Sequence, residues 1–577
     1  MTTAWRSAFP LDDLEVGACR TFREGAVQVA VFRLDTDTLY AVDNRCPHEG
    51  YPLSQGWVKD CVITCPWHNF KFDLRDGACV QGDEAVRVFP VRVRDGGVEL
   101  DLTPPDPAVE RARLWPSLEE GLLEAGMGRV VRDIVRLLGA GVPPEEIAWY
   151  CAHFDGRYAE YGTTHATPVA VDGLRYLARY PGAEAALPLA QGYELAARSH
   201  VRRPERPLAD PVSPLGGLDA VCEELRALVE AEEAERAEAL LRGAIARGWG
   251  LTDLLPAFFG IVSDHFLSFG HALIYLSKVH ALFEARGEAD TEPILTGLLK
   301  HMVSGTRYDL LPSWRGFRKR LEQLEPELSD LYPSCRDASP DPDRRDTLMA
   351  AILDEGDRAM FEAMERAIRE GTSVTTLIDA VSLAAAERMF RFDVQVDSSN
   401  DCQENWLDVT HTQTFANALR FAARNFDAPA LLKMLLHGAR FVNQARPVDA
   451  PADAWLPTQP AASGSVAETV AAIGRKDAGE AVAQAAAVVE GGETEALRSA
   501  LLDLPLADVV TRPIVAGHLI KNTVAAFEEW EATGHALPIL AVVRLLASPV
   551  RERRLGRVTH EAIGFVTQGQ VPKTLIR

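Results

Sequence analysis

The chain has 577 residues, a formal net charge of −23 at pH 7 and nine cysteines. That length allows several domains or one large core. The acidic balance argues against nucleic acid or an anionic membrane surface as a partner. No run of about twenty apolar residues occurs, so no helical membrane span is expected, and Met1-Thr2-Thr3-Ala4-Trp5-Arg6 lacks a signal-peptide core.

In chain order, short β-branched or alternating runs come first, at residues 27–33, 39–42, 62–64, 86–93 and 98–102. Gly and Asp turns separate them, which predicts a small β fold. Within it lie Cys46-Pro47-His48 and Cys65-Pro66-Trp67-His68, a C-x-H clip and a C-x-x-H clip with sixteen residues between them. Four soft or borderline ligands in two clips form an iron–sulfur or zinc signature. A zinc ribbon usually pairs two C-x-x-C clips, so the mixed clip and the two prolines favour a Rieske [2Fe–2S] centre. There Cys46 and Cys65 hold one iron, and His48 and His68 the other. The remaining seven cysteines (Cys19, Cys61, Cys79, Cys151, Cys222, Cys335, Cys402) are scattered and odd in number. That suits free thiols in a reducing cytoplasm.

Residues 5–105 closely resemble the Rieske ferredoxin family. High-potential members place one further cysteine in each cluster loop and join the two by a disulfide; here those positions are Tyr51 and Trp67. Such members also aim Ser and Tyr hydroxyls at the cluster from just after the second clip, where this chain has Asn69-Phe70-Lys71-Phe72. Hydrogen bonds to the cluster sulfurs raise its potential. The resemblance therefore implies a lower-potential, ferredoxin-type domain of the kind that feeds oxygenases.

Thr103-Pro104-Pro105-Asp106-Pro107 reads as a linker stiffened by its prolines. It sets the expected division: a Rieske domain at residues 1–105 and a catalytic domain at 106–577. From Ala108 onward, Ala/Leu/Glu/Arg segments with 3.6-residue periodicity take over, as at 218–247, 347–369 and 481–502. The expected fold class is thus multidomain, a small all-β domain followed by a large, nearly all-α one. Pro-rich loops at 203–217, 333–346 and 446–463 are expected to be mobile or to cover a site.

Four helical stretches each carry one histidine followed by an apolar run: His165, His271, His411 and His518. Any one of them alone reads as a core histidine. Together, on a chain with an iron-based electron donor, they read as ligands converging in a bundle core. Lys521 lies three residues after His518, on the same helix face. On the residues alone it reads as a snorkelling surface lysine. Facing inward beside a metal it would lose its proton more readily, and a neutral amine captures CO₂ to give an anionic carbamate.

The stretches at 161–180, 270–284, 408–420 and 517–530 resemble the motifs of questin-oxidase-like proteins, helical non-haem iron oxygenases associated with cleaving aromatic polyketide rings. The resemblance implies His165, His271, His411 and His518 as imidazole ligands of one Fe(II), with Lys521 as a carbamylated ligand and catalytic residue. The chain departs from the family pattern where a second histidine of the H-x₆-H helix would fall, which here is Lys278. His280, nine residues after His271, falls on the opposite side of an ideal helix. Thr164-His165 stands in place of Asn-His.

A competing reading takes Glu404 to His411 as the start of the two-histidine, one-carboxylate site of Rieske ring-hydroxylating oxygenases, with Asp264-His265 and His271 as another partial triad. That family builds its catalytic domain on a large antiparallel sheet, and few strand signals follow Ala108. A third reading makes the helical part a non-catalytic scaffold. No Rossmann fingerprint or phosphate loop occurs, since Gly216-Gly217 and Gly491-Gly492 are loop glycines. A separate NAD(P)H-dependent flavin reductase is therefore expected as partner. The expected activity is a cytoplasmic, O₂-dependent monooxygenase acting on a small apolar aromatic or quinone substrate, by hydroxylation or Baeyer–Villiger-like cleavage. Tyr161, Tyr275, Trp406 and Phe415 are candidate substrate contacts. The sequence leaves open whether the chain forms a homo-oligomer.

Overall fold

The computed structural model describes residues 5–400 and 402–570; most of the stretch read for a signal-peptide core (residues 1–4) lies outside the described residues. The chain forms two compact units, Met1–Val142 and Pro143–Arg577.

The first unit contains ten strands: β1 (Trp5–Pro10), β2 (Cys19–Glu24), β3 (Val27–Arg33), β4 (Leu39–Asp43), β5 (Trp57–Lys59), β6 (Val62–Thr64), β7 (Lys71–Asp73), β8 (Cys79–Gln81), β9 (Val91–Arg94) and β10 (Gly97–Asp101). They pair antiparallel as β1-β10-β9, β2-β3-β4 and β5-β6-β7-β8. Strand β3 is central because both its faces are apolar. Ala30 and Phe32 pack with Cys46, Cys65, Ile63 and Phe72, while Val29 and Val31 pack with Phe9, Phe89 and Leu100 on the other side. Alternation puts the two sets on opposite faces. The expected run at 86–93 is strand only from Val91; before that Val88 makes a single bridge to Val42.

Two helices complete this unit, α1 (Pro107–Leu123) and α2 (Met127–Gly139). The Asp106 carboxylate accepts from Ala108 N at 2.8 Å and Pro107 takes the first helical position, a start signal in which neither residue wastes a donor. The two helices bury Leu114, Leu118, Leu122, Val130, Ile134 and Leu137. The compact unit thus extends past the expected boundary at residue 105, to Val142. The proline segment does not swing free, because Arg87 Nη2 donates to Thr103 O at 3.0 Å. Arg132 and Arg136 of α2 reach back to Glu84 in the β8–β9 connection.

The second unit is helical, and among the described residues every strand lies in the first. The site-building helices are α3 (Pro144–Tyr158), α4 (Ala166–Gly173), α5 (His271–Arg286), α6 (Glu292–Val303), α7 (Trp406–Asn425) and α8 (Pro513–Thr533). Helix α8 is buried on nearly every side from Val515 to Phe527, the mark of a central helix. The periodic segments at 218–247, 347–369 and 481–502 are each a pair of helices: Leu218–Glu230 with Ala234–Ala246, Pro342–Asp354 with Asp357–Arg369, and Ala478–Glu490 with Thr494–Asp503. Each breaks at a short turn, at Glu232 (φ 56°), Gly356 and Gly492 (φ 80°). No helix among the described residues is long and apolar enough to cross a membrane.

Candidate metal centres

In the first unit the two clips are built alike. Cys46 N–H donates to Tyr51 O (2.9 Å) and Gly50 N–H to Cys46 O (2.7 Å); Cys65 N–H donates to Phe70 O (2.8 Å) and Asn69 N–H to Cys65 O (3.1 Å). Each loop turns through a left-handed residue, Gly50 (φ 75°) and Asn69 (φ 61°), types that tolerate that region. The result buries both sulfurs, with Cys46 3% and Cys65 1% exposed, and brings His48 Nδ1 to 3.0 Å from His68 Nδ1. That spacing suits two imidazoles on one metal with bonds of about 2.0–2.1 Å. Two buried thiols beside two converging imidazoles are the donor set of a Rieske cluster. The Tyr51 and Trp67 rings lie 5.4 Å apart, an apolar contact between the loops where a disulfide would otherwise sit. All nine cysteines are unbridged.

The loops differ in cover. Pro47 is buried and His48 half-buried, whereas Pro66, Trp67 and His68 are exposed. Over the first loop lies α2, whose Arg132 donates from Nη1 to His48 O at 2.8 Å and from Nε and Nη2 to Glu84 at 3.1 and 2.9 Å.

The second unit brings together all five residues expected at its centre. His411 Nε2 lies 2.8 Å from His271 Nε2 and 3.1 Å from His518 Nε2, and Lys521 Nζ lies 3.5 Å from His518 Nε2. His165 packs edge-on to His271 with centroids 4.7 Å apart and tilts on His518 at 4.9 Å. Its Nε2 is buried without a partner, and its Nδ1 lies 3.2 Å from the Tyr275 hydroxyl. His411 Nδ1 donates to Leu407 O at 2.5 Å and His518 Nδ1 to Ile514 O at 2.6 Å. Those carbonyls fix the tautomer, leaving both Nε2 atoms as lone pairs. Two facing lone pairs without a proton repel, and a cation between them removes the conflict. The donor set therefore fits a metal.

Burial, with the Lys521 charge and neighbouring imidazoles added, holds His165, His271 and His518 well below the usual imidazole range. Burial and Lys521 hold His411 at about 3. All four are neutral imidazoles at pH 7. Burial pushes the Lys521 amine down to about 7 against the pull of Asp172. Asp172 itself is held by Lys278 at 2.6 Å, and Lys521 forms no ion pair among the described residues. A buried lysine in that state is a nucleophilic amine for much of the time at neutral pH.

Three local features aim the histidines. Asp155 of α3 is fully buried and accepts from Thr164 N (2.8 Å), Thr164 Oγ1 (2.7 Å), Thr167 Oγ1 (2.8 Å) and His200 Nε2 (2.9 Å). It clamps the turn that carries His165 into α4. A Cβ on Gly162 (φ 85°) would meet His301 N of α6 at 2.2 Å, so that turn can approach α6 only with glycine. Ahead of His271 the backbone runs through Ser268 (φ 45°), Phe269 (φ 58°) and Gly270 (φ 81°). Left-handed non-glycine residues are strained and gather at functional sites.

A cavity of about 450 Å³ opens onto His165, His271, His411 and His518. Phe269, Leu311, Leu407 and Ile514 make its apolar wall, with Ser313, Gln444, Glu404 and Asp408 among its polar groups. Of the four aromatic contacts expected from sequence, none lines it. Tyr161 faces solvent at 67% exposure, Trp406 packs on Phe392, Phe415 packs on Phe266, and Tyr275 lies behind His165. The Pro-rich loops do not line it either. Phe269 carries no sequence signal beyond its place next to His271. The partial triad of Asp264, His265 and His271 does not assemble: Asp264 pairs with Arg226, and His265 is held by Glu230 and Asp309. His280 sits against Phe421 and Glu284, away from the cluster of histidines.

The first centre thus defines an iron–sulfur electron-transfer domain joined to a helical body. A profile of the Rieske-like [2Fe–2S] domain matches residues 4–101. The anthranilate 1,2-dioxygenase ferredoxin subunit of Burkholderia cepacia is 41% identical over 80 residues, 14% of this chain and 73% of that protein. Through this N-terminal stretch the chain belongs to the Rieske-like [2Fe–2S] family. A 4beta-methylsterol monooxygenase of Methylococcus capsulatus is 34% identical over 108 residues, 17% of this chain and 28% of that enzyme. Among solved structures, the complex of reduced oxygenase and oxidized ferredoxin in carbazole 1,9a-dioxygenase contains a chain 30% identical, covering 17% of this chain and 94% of that one, with a TM-score of 0.16.

Proposed function

We propose that the chain is an O₂-dependent oxidoreductase in which the Rieske cluster supplies electrons to a mononuclear iron in the helical unit. The iron's residues are His165, His271, His411 and His518, with Lys521 as a carbamate. One observation carries this reading: four imidazoles from four separate segments point nitrogen atoms at one another, two of them with no proton to share. The questin-oxidase-like reading of the helical unit rests on the same five residues.

Iron bound there would supply reductive activation of dioxygen. The chain's own residues do the rest. The carbonyls of Leu407 and Ile514 hold two rings in the ligating tautomer. Lys521, once carbamylated, adds the anionic oxygen that four neutral imidazoles lack. Phe269, Leu311 and Ile514 exclude water and present an apolar wall, and a cavity of about 450 Å³ is of the size that holds a small ligand. An aromatic or quinone substrate fits that wall, with its oxygens toward Ser313, Gln444 or the two carboxylates. A separate flavin reductase would load the cluster.

A second reading draws on Glu404 and Asp408, which line the same cavity: a carboxylate ligand in place of the carbamate. Iron and sulfide counts on the full chain test the central claim. Three irons with two sulfides per chain support it. Two of each leave an iron–sulfur carrier on a helical body. Loss of the third iron from Glu404→Gln but not from Lys521→Met would favour the carboxylate reading.

A further inference from the structure

We propose that Arg132 is a positioning residue for the His48 ligand loop, and that through this bond it raises the reduction potential of the cluster the loop holds. The inference rests on the Rieske reading of the first unit and goes beyond it, because Arg132 lies outside the β fold, on α2.

The two cluster loops are near copies in their backbone bonds, yet only one is braced. Arg132 Nη1 donates to His48 O at 2.8 Å; among the described residues no side chain donates to His68 O. A carbonyl held this way fixes the peptide plane next to the ligating residue, and with it the direction of the imidazole. The brace is anchored. Arg132 also grips Glu84, whose carboxylate is 1% exposed. Arg136 takes the other oxygen of Glu84 and also bonds Asp133 at 3.0 Å. Asp133 in turn accepts from Ser117 Oγ of α1 at 2.6 Å. The planar guanidinium spans carboxylate and carbonyl at once, which a lysine cannot do.

The hydrogen bond gives the sign. Glu84 and Asp133 together balance Arg132 and Arg136, so the effect on the loop comes through the directed bond to His48 O rather than through net charge. Reduction adds one electron to the cluster. A hydrogen-bond donor on the ligand loop stabilises that added negative charge, so the potential rises.

The test is the midpoint potential of the cluster in the full chain, by spectroelectrochemical titration, with the electron paramagnetic resonance spectrum of the reduced cluster. Arg132→Met should lower the potential by a three- to tenfold shift of the reduction equilibrium toward the oxidised form, the size a single net hydrogen bond supplies. It should also alter the histidine-side signature of the spectrum. Arg132→Lys keeps the charge but not the double grip, and should fall between the two; it decides the matter if the Met variant does not retain its cluster. Arg129→Met is the control, since Arg129 bonds Ser117 and Glu120 in the same hairpin without touching His48. An unchanged potential in both Arg132 variants overturns the proposal. An equal shift in Arg129→Met does so too, by assigning the effect to packing of the hairpin. Absence of a [2Fe–2S] spectrum in the parent chain would instead defeat the Rieske reading.

Discussion

His411 and His518 come from different helices, yet their Nε2 atoms lie 3.1 Å apart, each ring having given its Nδ1 proton to a carbonyl one turn earlier. The metal-free arrangement is frustrated, and a bound cation relieves it. Ferrous iron should therefore stabilise the helical unit by about 2.7 kcal/mol at a hundredfold excess over Kd, read as a raised melting temperature. His411→Ala should remove that response and one iron per chain while leaving the cluster absorption intact. A variant that keeps three irons would take His411 out of the shell.

Lys521 makes the opposite kind of statement. Its amine is lowered from 10.5 to about 7 by burial, so the native state disfavours the ammonium form. Without metal or CO₂, this contribution destabilises fully below about pH 7. Stability then rises with pH as the unfolded chain continues to hold the proton up to 10.5. Lys521→Met should stabilise the metal-free chain at pH 6 by a few kcal/mol while abolishing turnover. Withholding CO₂ during iron loading should lower activity in the parent and change nothing in the variant.

The buried imidazoles set an acid limit. With His411 held at about 3 and the other three well below the usual range, the unfolded chain binds protons that the native chain refuses. Stability conferred by their neutral state is complete above about pH 6.5 and is lost as pH falls below it. Thermal melts from pH 7.5 to 5 should show a steep decline of the helical unit. A flat profile would mean that the rings are protonated in place.

Asp155 supports the site from behind. Replacing it with Ala leaves Thr164, Thr167 and His200 donors unanswered in a dry interior, at about 3 kcal/mol or more. The iron site should weaken by roughly ten- to a hundredfold, measured by competition with a chelator. Asp155→Asn should recover part of the loss.

Gly270 is constrained twice, by φ 81° and by Phe415, whose Cδ2 would lie 2.3 Å from an added Cβ. Gly270→Ala should cost about 2–4 kcal/mol and displace His271. Chemical denaturation gives the first figure and the iron count the second.

Much of this could be read from the chain itself. The two clips declare themselves through spacing, because a four-ligand centre needs its donors in short, turn-bounded pairs. The histidines of the helical unit were legible as a set, since an imidazole on an apolar face is costly four times over. Residues such as Asp155, Phe269 and Arg132 were not. Each acts through a partner that sequence distance does not reveal: Asp155 through Thr164, Arg132 through His48. Boundaries failed for a similar reason. Periodicity runs unbroken through a turn at Gly492 or Gly356, so it marks a helical stretch and not the break within it. The prolines at 104–107 read as a stiffened linker, and Pro107 opens a helix that belongs to the same unit.

That membership limits how the electron carrier could be excised. Cut after residue 105, the β fold would surrender both arginines that answer Glu84 and the donor that braces His48 O. A graft of this domain onto another protein keeps those pairings only if residues 106–142 travel with it.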